Sequence, residues 1–134
     1  FILSIDNAHA THPAFPEKMD LKERVYLNKG IVIKHHVNYS TDGLSSAMVK
    51  TILDKAGVEH QDYCNHSDIR CGGTIGLMTS ANLSMNAADI GLAQLAMHSA
   101  VETVGAKDID KMHDCAKAFF EAKFSRNGSI VTID

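Results

Sequence analysis

Tryptophan is missing from the chain, proline occurs only twice and the three cysteines form no C-x-x-C pair. An odd thiol count without such spacing excludes a disulfide scaffold, so Cys64, Cys71 and Cys115 read as free thiols of a reducing compartment. No apolar run approaches the roughly 20 residues that cross a bilayer, and the N-terminus lacks the layout of a signal peptide. No charge of one sign dominates either. Thirteen basic and 16 acidic residues are interspersed, and the net charge of -3 gives no positive field for nucleic acid or for anionic lipid. A cytoplasmic protein without nucleic-acid or membrane partners is expected. Low-complexity tracts are also absent, and 45% apolar with 22% charged residues suits a folded domain. The chain starts at Phe1 inside an apolar run with no polar lead-in, as a chain cut from something larger would.

What is present is an alternation of strands and helices. Phe1 to Ile5 reads as a buried strand that runs into the turn-rich stretch Asp6 to Pro16, and Ile31 to Ile33 as a second that runs into Lys34-His35-His36. Asp42 is placed to cap a helix reaching Ala56, with Leu44, Ala47, Met48, Ile52 and Ala56 at helical spacing and Gly57 as the stop. A strand at Glu59 to Cys64, a short helix at Thr74 to Asn82 and a strand near Asn86 to Ile90 follow. A helix is expected over Gln94 to Val104. Another spans about Asp108 to Phe124, with Ile109, Met112, Ala116, Phe119 and Phe120 inward, before a strand at Ile130 to Ile133. The order implies one α/β unit over residues 1–134, a layered and largely parallel sheet flanked by helices, with no repeat and no linker.

The densest polar cluster, Asp6-Asn7-Ala8-His9-Ala10-Thr11-His12-Pro13, follows directly on a buried strand, where ligands collect in α/β sheets. Oxygen and nitrogen donors together suit zinc or a similar divalent ion. The same residues also suit a turn with an Asx cap at Asp6 and two solvated histidines. His98 is open to two readings, metal ligand or hydrogen-bonded core residue. Arg70-Cys71-Gly72-Gly73-Thr74-Ile75-Gly76 lacks the lysine and the spacing of a phosphate loop; its glycines fit either a close backbone approach to a substrate or a simple tight turn. Lys34 is either a functional cation or an ordinary strand exit.

Four blocks in order, Ser4-Ile5-Asp6-Asn7-Ala8-His9-Ala10-Thr11-His12-Pro13, Gly30-Ile31-Val32-Ile33-Lys34, Cys71-Gly72-Gly73-Thr74-Ile75-Gly76 and Asp89-Ile90-Gly91-Leu92-Ala93-Gln94-Leu95-Ala96-Met97-His98-Ser99, resemble the aspartyl aminopeptidase and aminopeptidase I family of dinuclear zinc metallopeptidases. The resemblance runs from Phe1 to about Phe124. It implies the C-terminal portion of an α/β catalytic domain that removes free N-terminal residues from peptides. It also implies two Zn2+ per full site, with Mn2+ or Co2+ as substitutes, and assembly into a dodecameric homo-oligomer.

By the same resemblance Asp6 is a carboxylate ligand of one metal and His98 an imidazole ligand of the other. His9 and Lys34 contact substrate, and Gly72, Gly73 and Thr74 line its pocket. The family's remaining metal ligands, its glutamate base and its oligomer-building insert correspond to nothing in this sequence and are expected upstream of Phe1. The chain is therefore expected to be inactive without that N-terminal portion. The alternative is a truncated, non-catalytic module that serves assembly or interaction.

Overall fold

The computed structural model describes residues 1–134. Its elements are strands β1 (Ile2–Ile5), β2 (Ala8–His9) and β3 (Ile31–His35), helix α1 (Gly43–Ala56), strand β4 (His60–Cys64), helix α2 (Ile75–Leu83), strands β5 (Ala87–Gly91), β6 (Ala93–Leu95) and β7 (Thr103–Val104), helix α3 (Ala106–Glu121) and strands β8 (Phe124–Asn127) and β9 (Ile130–Ile133). Four strands form the main sheet in the order β1, β5, β3, β4. β1 lies parallel to β5 and β3 parallel to β4, while β3 and β5 run antiparallel, so the α/β sheet is mixed and mostly parallel.

β3 is the centre of the packing. Ile31 and Ile33 enter a core with Val49 and Leu53 of α1 and Cys115 of α3. Val32, on the opposite face, joins a second core with Ala8, Val25, Tyr63 and Ala93 that carries no helix. Because side chains alternate along a strand, Lys34 shares the face of Val32. On that face α2 packs over β1 and β5, and the polar residues gather beside it.

Helix α1 starts and stops where its sequence directs. The Asp42 carboxylate accepts from Ser45 N at 2.7 Å, the Ser45 hydroxyl accepts from Asp42 N at 2.8 Å, and Gly57 closes the helix at φ 67°. Met48 and Ile52 are buried together with Val49 and Leu53, whereas Leu44, Ala47 and Ala56 are exposed.

Two expectations fail. The stretch Gln94 to Val104 is not a helix. β6 extends a parallel pairing with β2, the chain turns, and β7 returns antiparallel onto β6. Ala96 and His98 hold φ 55° and 68°, which a right-handed helix forbids; bonds from Ser99 N to Ala96 O (3.0 Å) and from His98 N to Glu102 Oε1 (2.6 Å) hold the turn. Pairing outweighs the local helical preference of Ala-Gln-Leu-Ala-Met.

The second failure concerns two of the five residues expected inward on α3, since Met112 and Phe119 do pack against the cores and Ala116 is half-buried. Ile109 is 55% and Phe120 85% exposed, whereas Asp108 and Cys115 are buried. The Asp108 carboxylate accepts from Asn28 N at 2.6 Å and Gly30 N at 2.9 Å. Those charge-assisted bonds anchor the start of the helix through a buried acid that an apolar pattern leaves out.

Candidate active site

Asp6 follows the last residue of β1, and its backbone N donates to Ile90 O at 2.9 Å. Gly91 makes room for it, because a Cβ there would lie 2.0 Å from Asp6 O. Asn7 then locks the chain to its neighbour, donating to Gln94 Oε1 at 2.6 Å and accepting from Leu92 N at 3.1 Å. These bonds carry the backbone from β1 into β2, where His9 pairs with Gln94.

Asp6, His9, Lys34, Gly72, Gly73, Thr74 and His98 all line one cavity of about 200 Å³. Four stretches of sequence thus converge on the face of the sheet opposite α1 and α3. Tyr39, Tyr63, Asn65, Arg70, Cys71 and Met97 line it too, none of which the sequence marks as functional. The signal for Tyr39 is its place five residues after Lys34, in the turn that leaves β3. A second, more apolar cavity of about 290 Å³ adjoins the first, sharing His9, Tyr63, Asn65 and Ile69 and extending beneath Phe15 and Met19.

Lys34 is 1% exposed, and its Nζ reaches Asp6 Oδ2 and Asn7 O, each at 3.4 Å. Burial lowers its pKa, and the carboxylates of Asp6 and Asp89 pull the other way. Burial also lowers the pKa of His9, helped by the nearby His98 and Lys34, which favours a neutral imidazole. His98 is exposed on the β6–β7 turn rather than near the interior.

Thr74 stands at the N-cap position of α2, but its hydroxyl donates to Asp89 Oδ1 at 2.6 Å and not to the helix. Gly72 and Gly73 are exposed, and Asn38 holds the loop by donating to Cys71 O at 2.9 Å. All three cysteines are free, and burial raises the thiols of Cys64 and Cys115. Cys64 and Cys115 are thereby unsuited to act as nucleophiles.

A carboxylate oxygen at Asp6 and imidazoles at His9 and His98 border the same space, a donor chemistry that suits zinc. No three His, Cys, Asp or Glu side chains of the chain come together in a metal-holding group. These residues therefore fit a zinc ion as part of a donor set, not as a closed one. No helix is long and apolar enough to cross a membrane.

The sequence matches the family model described as aminopeptidase I zinc metalloprotease (M18) over residues 1–120. A probable M18 family aminopeptidase 2 of Mycobacterium leprae is 42% identical over 90% of the chain, and a probable aspartyl aminopeptidase of Ricinus communis is 35% identical over all of it. The chain spans 29% and 28% of the length of these two curated relatives. Among solved structures, the mApe1 dodecamer of S. cerevesiae superposes with a TM-score of 0.77 at 29% identity, covering 90% of this chain and 26% of that one.

Proposed function

Because the chain belongs to the aminopeptidase I zinc metalloprotease (M18) family, we propose that residues 1–134 form the C-terminal portion of a catalytic domain that removes N-terminal residues from peptides with a free amino terminus. The observation that carries this reading is the convergence of Asp6, His9, Lys34, Gly72, Gly73, Thr74 and His98 on one cavity. Residues chosen by motif from distant parts of the sequence have no structural need to share a space.

Asp6 and His98 would hold zinc, one ion each of a pair, with donors from the rest of the protein completing both shells; Mn2+ or Co2+ would substitute. When bound, the metal supplies Lewis acidity and an activated water. His9, kept neutral by its surroundings, hydrogen-bonds the substrate, and the Lys34 ammonium offers charge to a substrate oxygen. The exposed backbone at Gly72 and Gly73 lets a peptide approach closely. The general base lies outside this chain.

A homo-oligomer follows from the likeness to a dodecameric structure. Three free thiols suit a cytoplasmic, reducing setting.

The test is hydrolysis of aminoacyl chromogenic substrates by the full-length protein with added zinc, manganese or cobalt. Metal-dependent turnover, reduced at least about 100-fold in Asp6→Asn and His98→Ala, is expected. A second reading, a non-catalytic assembly module, is favoured by the lack of any three-donor group within the chain. Turnover in the full-length protein excludes it. No turnover with any of the metals, and no bound metal by elemental analysis, establishes it instead.

A further inference from the structure

We propose that Tyr39 is the positioning residue for Lys34, its ring face fixing where the ammonium sits in the cavity. The inference rests on the reading that Lys34 meets the substrate.

Lys34 is almost fully buried, yet both oxygens near its Nζ stand at 3.4 Å, beyond the usual range for such bonds. Neither is close enough to fix the direction of the ammonium. The ammonium stands over the Tyr39 ring, whose centroid lies 4.9 Å from Nζ, within reach for a cation–π contact. An ammonium has three N–H donors, so two long contacts leave one for a ligand oxygen, while the ring face attracts the charge as a whole.

The half-buried ring has neighbours of its own. Cys71 Sγ lies 3.2 Å from its hydroxyl, and the rings of His36 and Tyr63 stand 6.0 and 6.5 Å from it. Its chain neighbours are anchored as well, Asn38 to Cys71 O and Ser40 to Asp89. Tyr39 therefore joins the glycine-rich wall to Lys34, its hydroxyl at Cys71 and its ring face at the ammonium. A flexible four-carbon stem gains its direction from this rigid partner.

The experiment replaces Tyr39, in the metal-loaded full-length protein, by phenylalanine and then by phenylalanines with one, two and three ring fluorines. These keep the shape while draining charge from the ring face. Phenylalanine is expected to keep KM within about twofold, and successive fluorination to raise it stepwise toward roughly tenfold while kcat holds within about threefold. In a Lys34→Met background, itself raised in KM, the same series is expected to be flat, since the ring then has no ammonium to hold.

A flat series in the presence of Lys34, with KM still raised by Lys34→Met, overturns the role of Tyr39 alone. An unchanged KM in Lys34→Met overturns the substrate role of Lys34 and this proposal with it. So does an unmodified protein that hydrolyses nothing. A merely structural Tyr39 would tolerate every fluorinated ring equally.

Discussion

Ser40 grips Asp89 twice, through its backbone N at 2.6 Å and its hydroxyl at 2.7 Å, both on the same carboxylate oxygen. The other oxygen accepts from Thr74 at 2.6 Å, and the backbone N of Asp89 donates to Thr41 Oγ1 at 2.8 Å. A carboxylate with no exposure thus ties the turn after β3 to the glycine-rich wall of the cavity. Burial would raise its pKa, but the Ser4, Ser40 and Thr74 groups around it outweigh that and lower it.

Asp89→Ala should therefore destabilise the protein by about 3 kcal/mol, because several buried donors lose their acceptor at once. Denaturant unfolding reads this directly. A change within about 0.5 kcal/mol would show that the network is not what joins the two segments.

Two glycines should respond oppositely to alanine. At Gly76 a Cβ would lie 2.4 Å from Asp89 Oδ1 and 2.7 Å from Ser4 Cβ, whereas at Gly43 nothing lies within 4 Å. Gly76→Ala is expected to cost about 1–3 kcal/mol despite the better helix propensity of alanine, and Gly43→Ala to be neutral or to raise Tm. Equal Tm values for the two variants would contradict the close packing of α2 on β1 and β5.

Asp62 makes acid stability testable. Burial would raise its pKa, but bonds from Lys50 Nζ (2.7 Å) and His35 Nε2 (2.8 Å) outweigh it, so the folded value lies below the ordinary one. A depressed folded pKa adds stability that is complete above the unfolded value, about 4, and is lost as pH falls through the folded value. Unfolding free energies across that acid range should fall less steeply in Asp62→Asn than in the unmodified protein. Identical slopes would mean that the carboxylate is not held by its two partners.

The parts of the fold legible in sequence are those where local and long-range preferences agree. Asp42, Ser45 and Gly57 cap α1 by bonds among near neighbours, and the apolar run before Lys34 forms a strand wherever it is buried. Ala93 to His98 has helix-forming residues, yet its partner lies in β2, far away in sequence, and that pairing prevails. Asp108 is hidden for the same reason, since its acceptor role depends on Asn28 and Gly30. Within the candidate site, Asp6, His9, Lys34 and His98 stand out by residue type and motif. Tyr39 does not, because an aromatic side chain gains its meaning only from the ammonium beneath it.

The two short parallel ladders on either side of Asn7 keep one offset, since Ile2 faces Ala87 and Ala8 faces Ala93. Amides of Asp6, Ala8 and Ala10 reach Ile90, Leu92 and Gln94 in unbroken succession. The ladder acts as a ruler laid along both halves of the cavity, setting how far Asp6 and His9 stand from the turn that bears His98. A slip of one residue would turn every side chain on the slipped strand to the other face. The spacing of Asp6 and His9 from the turn that bears His98 is thus written into the register itself, wherever these strands are paired.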